Sequence, residues 1–344
     1  MKAAVFSTTG EPDAVLNAQD VDEPVAGPGQ VVVRMLASPV NPSDLMFIRG
    51  QYGVEPKLPE TPGFEGVGVV ESGGAGLRPK MMRGKRVAVL SRSGGNWAEK
   101  NVVSAKQVIP FSPVLTGNLS VKQCATFFVN PATAFIMTRR ILRPLPGAWL
   151  LQTAAGSELG RMVIRLGKRF DFRTLCVVRR QEQARELEQA GADAVVWFDP
   201  EKHDERDLVS IVMQTTEGAG VPYAIDAVSG ATGSAAVQCL SQGGHMLLYG
   251  TLSGVPLSFP SRPLMEKGVR LDGFWLGNYM ASVSLRGKLG LIRTISGLIR
   301  EGVLTSQIGC EFRLDQIQSA VRAAEQPGRL GKVLLRLGDL GDSR

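Results

Sequence analysis

Between residues 148 and 250 the chain repeats one rhythm. "AWLLQ" (148–152), "TLCVV" (174–178), "AVVWF" (194–198), "YAIDAV" (223–228) and "HMLLYG" (245–250) are short apolar runs of strand length. Between them lie stretches such as "QEQARELEQAG" and "RDLVSIVMQTTEG", whose apolar residues recur at helical spacing. Parallel neighbouring strands need a long crossover, and helices of this length supply it. The pattern therefore predicts a doubly wound parallel sheet with helices on both faces, and it excludes an all-β or an all-helical chain.

The segment before this repeat reads differently. "VVVRML", "GVGVVES" and "KRVAVL" are β-branched runs set between Gly and Pro turns, which predicts a mostly β unit. A chain of 344 residues exceeds what one hydrophobic core serves, so two domains are expected. We place the β domain at 1–119 and the doubly wound domain at 120–261, with 262–344 returning to complete the first. With 44% hydrophobic and 21% charged residues the composition is that of a soluble globular protein. No apolar run approaches the ~18 residues that a membrane span needs, and "MKAAVF" starts at once as a strand, so a cytoplasmic chain with no membrane partner is expected.

Cys124, Cys176, Cys239 and Cys310 show no metal-ligand spacing and are expected to be buried free thiols. His203 is expected in a solvated loop and His245 in the core. The net charge of +7 favours an acidic partner without choosing one. Arg161, Arg165, Lys168 and Arg169 recur at helical spacing and are expected to be a solvated helix face, with a docking patch for an acidic carrier or for coenzyme A phosphates as the alternative.

The first strand of the repeat runs into "TAAGSELG". A dinucleotide loop of the GxGxxG type uses its glycines for a tight turn, for close approach to the pyrophosphate, and for helix packing. Here Ala155 and Ser157 stand at the first two positions and only Gly160 is retained. Small residues keep the turn tight, Ser157 offers a hydroxyl and a backbone N–H, and the helix N-terminus still favours an anion. The second strand ends "VVRRQEQ": its tip carries Arg179 and Arg180 instead of the acid that binds an NAD ribose. Guanidinium forks suit a 2′-phosphate, so NADP(H) is preferred over NAD(H).

"SPVNPSDLMFIRGQYGVEPKLPETPGFEGVGVVES" (38–72) resembles the GroES-like catalytic domain of the medium-chain dehydrogenase/reductase superfamily. "FFVNPATAFIM" (127–137), the serine-containing loop and "LDGFWLG" (271–277) are most similar to its mitochondrial-type enoyl thioester reductases. Zinc-dependent members carry a Cys near "NPSD", a "GHE" triplet and a four-Cys lobe. Here Phe64 takes the histidine's place between Gly63 and Glu65, no Cys precedes 124, and the lobe is missing, so no metal is expected and Glu65 is expected to be a hydrogen-bonded structural carboxylate.

The resemblance implies NADPH-dependent reduction of the double bond of a 2-enoyl thioester, with hydride added at the β-carbon and a proton given to the α-carbon by the tyrosine of "RGQYG", Tyr52. It also implies a cofactor set: Asn130; Gly156, Ser157, Glu158 and Leu159 in the phosphate loop; Arg179, Arg180 and Gln181 at the 2′-phosphate; Tyr249, Gly250, Thr251 and Leu252 after the strand "HMLLYG"; Phe274, Trp275, Leu276 and Gly277 about the nicotinamide and acyl pocket; and Lys332 closing the site. Partners by the same resemblance are a small or acyl-carrier-linked enoyl substrate and a second copy in a homodimer, with no nucleic acid. An NADPH-dependent quinone oxidoreductase is the alternative, although that branch has a glycine-richer loop. A non-catalytic NADPH-sensing or RNA-binding protein is a distant third, since no aromatic RNA platform accompanies the basic charge.

Overall fold

The computed structural model describes residues 1–114 and 116–339 and divides into two compact units. One holds Met1–Val129, Leu289–Arg300 and the described residues from Thr305 onward; the other holds Asn130–Lys288 and Glu301–Leu304.

The second unit is built on six strands: β1 (Trp149–Gln152), β2 (Arg173–Val178), β3 (Ala194–Trp197), β4 (Val221–Asp226), β5 (Leu240–Leu248) and β6 (Arg270–Gly273). All pair in parallel, in the order β3-β2-β1-β4-β5-β6. Helices α1 (Glu158–Phe170), α2 (Glu182–Gln189), α3 (Glu205–Thr215) and α4 (Gly230–Gln238) cross between the first five strands. Strand order reverses between β1 and β4, so the crevice at their C-terminal ends is the switch point where such sheets receive ligands. Helix α1 forms because Leu159, Met162, Val163 and Leu166 give it one apolar, buried stripe. Ser157 caps its start and Asp171, left-handed at φ 58°, ends it.

β6 corrects the expected return at residue 262. "VRLDG" pairs with β5 through His245↔Arg270 and Leu248↔Gly273, and so extends the parallel sheet by a sixth strand. The return to the first unit comes later. There Lys332–Arg336 pairs antiparallel with Gln30–Pro39 and parallel with Ile308–Arg313.

The first unit is built on a seven-stranded sheet, with Lys2–Val5 and Asn17–Asp20 paired separately as an antiparallel ribbon. The sheet's path runs Ile308–Arg313, Lys332–Arg336, Gln30–Pro39, Glu65–Gly73, Arg86–Leu90 and Val108–Pro110, with Lys100–Ser104 also paired to Gln30–Pro39. Gln30–Pro39 lies between neighbours and is buried along most of its length, which explains its near-continuous run of Val, Met and Leu. Its core includes three aromatics packed edge to face, with Phe6 and Phe47 rings 5.7 Å apart and Phe47 and Phe64 rings 5.2 Å apart.

Other expectations are adjusted here. Cys124, Cys176 and Cys239 are buried free thiols, but Cys310 is exposed, because it sits on the outer strand Ile308–Arg313. His245 is half-buried and bonded to Asp272 at 2.8 Å rather than enclosed in apolar core. His203 is fixed rather than solvated: it packs on Trp197 and Phe198, and its Nδ1 accepts from the Asp199 amide.

Candidate active site

In the first unit the run "NPSD" builds a short helix. Asn41 is its N-cap, Pro42 its first residue, and Asp44 accepts the Asn41 amide at 2.8 Å, which closes a capping box. The second Asp44 oxygen accepts the Phe64 amide at 2.9 Å. The Asn41 amide group donates to Glu65 Oε1 at 3.0 Å, Glu65 Oε2 accepts the Val129 amide at 3.0 Å, and Lys332 Nζ donates to Asn41 Oδ1. All four side chains are buried. Burial pushes the Asp44 carboxyl up to about 7 despite its two amide donors, with the Glu65 charge adding to the rise and Lys332 opposing it.

Tyr52 follows this helix. Arg49 at the helix end is held by Glu11 at 2.6 Å and Glu325 at 2.7 Å, and the Gln51 amide bonds back to the Met46 carbonyl at 2.9 Å. The Tyr52 ring then lies 5.0 Å from that of Phe64, half-buried. Burial, and secondarily the Asp44 charge, push its phenol up to about 12. Tyr52 is thus a neutral O–H donor throughout the physiological range.

Glu65 is the hydrogen-bonded carboxylate that the sequence implies. Asn41 and Asp44, however, were not singled out, although a capping box of Asn, Pro and Asp three residues on is a readable signal. Lys332, expected to close the cofactor site, is buried, and its ammonium donates to Asn41 within this cluster.

In the second unit the cofactor candidates gather at the C-terminal edge of the sheet. The left-handed residue of the loop is Ala154 at φ 49°, one position before the expected tight turn. The Ser157 amide is committed to the Ala154 carbonyl at 3.0 Å, which corrects its expected role as a phosphate donor, and Ser157 Oγ accepts the Gly160 amide at 3.1 Å. The hydroxyl proton is still a donor. A Cβ on Gly160 would lie 2.3 Å from the Ala155 carbonyl oxygen, so glycine there is what lets the loop close on the helix. A Cβ on Gly156 would lie 2.5 Å from the Gln183 side-chain nitrogen. Ser157 is exposed, Gly156 half-buried, and Glu158 and Leu159 are buried.

Arg179 and Gln181 are exposed and Arg180 is half-buried directly after β2, with the Trp197 indole donating to the Arg179 carbonyl at 3.1 Å. Across the switch point, buried Asp226 at the end of β4 accepts the Thr153 hydroxyl at 2.5 Å and the amides of Val228 and Ser229 at 3.0 and 2.8 Å. This pair was not anticipated; its signal is a lone acid closing the apolar run "YAID". Tyr249 and Gly250 are half-buried, and Thr251 and Leu252 exposed, on a loop tied to Ala227 by the Leu252 amide at 3.0 Å. Asn130 is half-buried. The four residues of "FWLG" do not act as one lining. Phe274 is buried against Tyr279, Trp275 is 42% exposed at the start of a helix, Leu276 is half-buried and Gly277 exposed.

This geometry fits a dinucleotide: a glycine that lets the loop close on the N-terminus of a thirteen-residue helix, with two arginines at the next strand tip. It does not fit zinc. Among the described residues no group of three or more His, Cys, Asp or Glu could hold a metal ion, and the oxygens of Asp44 and Glu65 already accept amides.

Two family descriptions match the chain, "Alcohol dehydrogenase GroES-like domain" over residues 27–113 and "Zinc-binding dehydrogenase" over residues 159–287. The mitochondrial enoyl-[acyl-carrier-protein] reductase of Bos taurus is 30% identical over 345 residues, covering 98% of this chain and 89% of the bovine protein. The crystal structure of a putative NADPH:quinone reductase from Bacillus thuringiensis superposes with a TM-score of 0.87 at 30% identity, over 97% of this chain and 98% of the other. The Etr1p complex with NADP and crotonyl-CoA shares the fold, with a TM-score of 0.79 at 24% identity over 97% and 99% of the two chains.

Proposed function

Because the chain belongs to the medium-chain dehydrogenase/reductase superfamily, we propose that it reduces the carbon–carbon double bond of a 2-enoyl thioester with NADPH. The observation that carries this reading is Tyr52: a half-buried phenol held neutral by its surroundings, on a segment braced just before it by the two ion pairs of Arg49, is suited to protonating a carbanion. The enoyl reductase name borne by relatives along almost the whole chain supports the substrate class.

In this account Ser157 and the first turn of α1 receive the pyrophosphate, and Arg179, Arg180 and Gln181 hold the 2′-phosphate. Asn130, Tyr249, Gly250, Thr251 and Leu252 orient the rest of the nucleotide, and Trp275, Leu276 and Gly277 border the nicotinamide and acyl groups. NADPH, when bound, supplies the hydride for the β-carbon. Negative charge then develops at the α-carbon and on the thioester oxygen, and the Tyr52 O–H gives its proton to the α-carbon. A phenol raised to about 12 does not ionise before that charge appears, so the proton is present when it is needed. Asn41, Asp44, Glu65 and Lys332 position the Tyr52 segment by fixing the helix before it.

The likeness to a putative NADPH:quinone reductase favours a second reading, in which NADPH reduces a quinone. NADPH oxidation with crotonyl-CoA and with a benzoquinone, measured side by side, separates the two. We expect thioester turnover; turnover of the quinone alone would overturn the proposal.

A further inference from the structure

The net positive charge is not where helical spacing puts it. Arg161 pairs with Glu186 at 2.8 Å, Lys168 with Asp193 at 2.9 Å and Arg169 with Glu301 at 3.0 Å, while the Arg165 side chain donates to the Val303 carbonyl at 2.8 Å. The face expected to be solvated or to dock an acidic carrier is thus largely neutralised. Beside it, Arg139, Arg140, Arg143 and Arg173 make no ion pair with a carboxylate of the described residues. Three of them lie over rings instead, Arg140 at 5.8 Å from the centre of the Phe135 ring. Arg139 lies 4.4 Å from the centre of the Phe170 ring, which Arg169 shares at 5.3 Å, and Arg173 lies 4.6 Å from that of Trp149.

These arginines surround "RPLPG", residues 143–147. Pro144 and Pro146 stiffen the loop, and two hydrogen bonds pin its base, Gly147 amide to Asp171 carbonyl at 2.7 Å and Arg173 Nε to Gly147 carbonyl at 2.8 Å. Leu145 at the tip is 66% exposed. The carboxylates facing this end are Asp171, which is exposed, and Asp193 and Glu301, which Lys168 and Arg169 already engage. All of this lies at the N-terminal ends of β1 and β2 and the C-terminal end of α1. The cofactor candidates occupy the opposite edge of the same sheet, and the helical run from residue 130 to 142 separates the two ends by roughly 20 Å.

We propose that this end of the second unit is a docking surface for an anionic lipid bilayer, Leu145 entering the interface and Arg139, Arg140, Arg143 and Arg173 meeting lipid phosphates. A second copy of the chain would bring like charge to like charge. An acidic protein or a nucleic acid would satisfy the arginines but gives no role to a rigid, exposed leucine at their centre. A bilayer satisfies both, since it combines surface charge with an apolar interior. Docking there leaves the cofactor edge open. This surface departs from the expectation of no membrane partner: among the described residues no helix is long and apolar enough to cross a membrane, but peripheral contact needs none.

The test is co-sedimentation of the full chain with phosphatidylcholine vesicles, with and without phosphatidylserine, at low and high salt. We expect binding only with phosphatidylserine, weakened by salt. The double variant Arg140→Gln, Arg143→Gln, at two exposed positions, should bind more than ten-fold more weakly, at roughly five-fold per charge, and Leu145→Asp should lose binding, with thermal unfolding of both unchanged. No phosphatidylserine-dependent binding would overturn the proposal. So would Leu145→Asp binding as well as the parent, which would make the arginines a site for an acidic protein or nucleic acid.

Discussion

The proton donor proposed at Tyr52 must keep its proton until the reaction calls for it, and burial, with the nearby Asp44 charge second, raises this phenol to about 12. Tyr52→Phe retains the ring that packs on Phe64 and removes only the hydroxyl. We expect kcat with an enoyl thioester to fall by about 10²-fold or more while NADPH affinity, followed by fluorescence titration, stays within two-fold, the two-fold bound being an order-of-magnitude allowance. Unchanged turnover would remove Tyr52 from the mechanism. Tyr52 was legible only because "NPSD" and "GQYG" resemble a known family, since a tyrosine in a loop has no periodicity to betray it. What fixes it was partly hidden for the same reason. Lys332 and Asn41 are separated by 291 positions in sequence yet share a hydrogen bond, and no local pattern joins them.

At the scale of elements, the loop and α1 stand or fall together. Gly160→Ala would drive a methyl group into the Ala155 carbonyl, 2.3 Å away, so the loop must open and NADPH binding should drop by at least ten-fold, equivalent to about 1.4 kcal/mol. Ser157→Ala removes a helix cap and should lower the unfolding free energy by about 1 kcal/mol in a denaturant titration. The double variant Arg179→Ala, Arg180→Ala should weaken NADPH by more than ten-fold, at roughly 1.5–3 kcal/mol per charged hydrogen bond, and NADH far less. Equal loss for both nucleotides would refute the 2′-phosphate assignment. The alternation of strands and helices was legible through β5, because the central strands are buried on both faces and read as apolar runs. The left-handed turn at Ala154 was not, because alanine rarely adopts that conformation and nothing in "TAAG" marks which residue does.

For the whole molecule, the difference from sequence lies in where the chain changes units. "VRLDG" falls within 262–344, the stretch expected to return to the first domain, yet β5 offers it a free edge, and pairing there decides its place. The buried cluster of Asn41, Asp44, Glu65 and Lys332 likewise joins three distant stretches of one unit and gives its stability a pH dependence. Asp44 holds its proton up to about pH 7 when folded but only to its ordinary 3.8 when unfolded. Between those values the native state binds the extra proton, so stability must fall as pH rises, on the order of 1 kcal/mol per pH unit, and level off above 7. Urea unfolding from pH 5 to 8 measures this slope, and Asp44→Asn should abolish it. A flat profile over that range would mean that Asp44 is ionised in the folded chain.

The proposed reduction is reported directly by the hydrogen atoms of its product. With NADPH deuterated stereospecifically at nicotinamide C4, each epimer in turn, and a trans-2-enoyl-CoA in ordinary water, one epimer should give a saturated thioester with deuterium on the β-carbon and a solvent proton on the α-carbon. Recovery of unreacted enoyl thioester with both epimers, from protein that binds NADPH and reduces a benzoquinone, would contradict it.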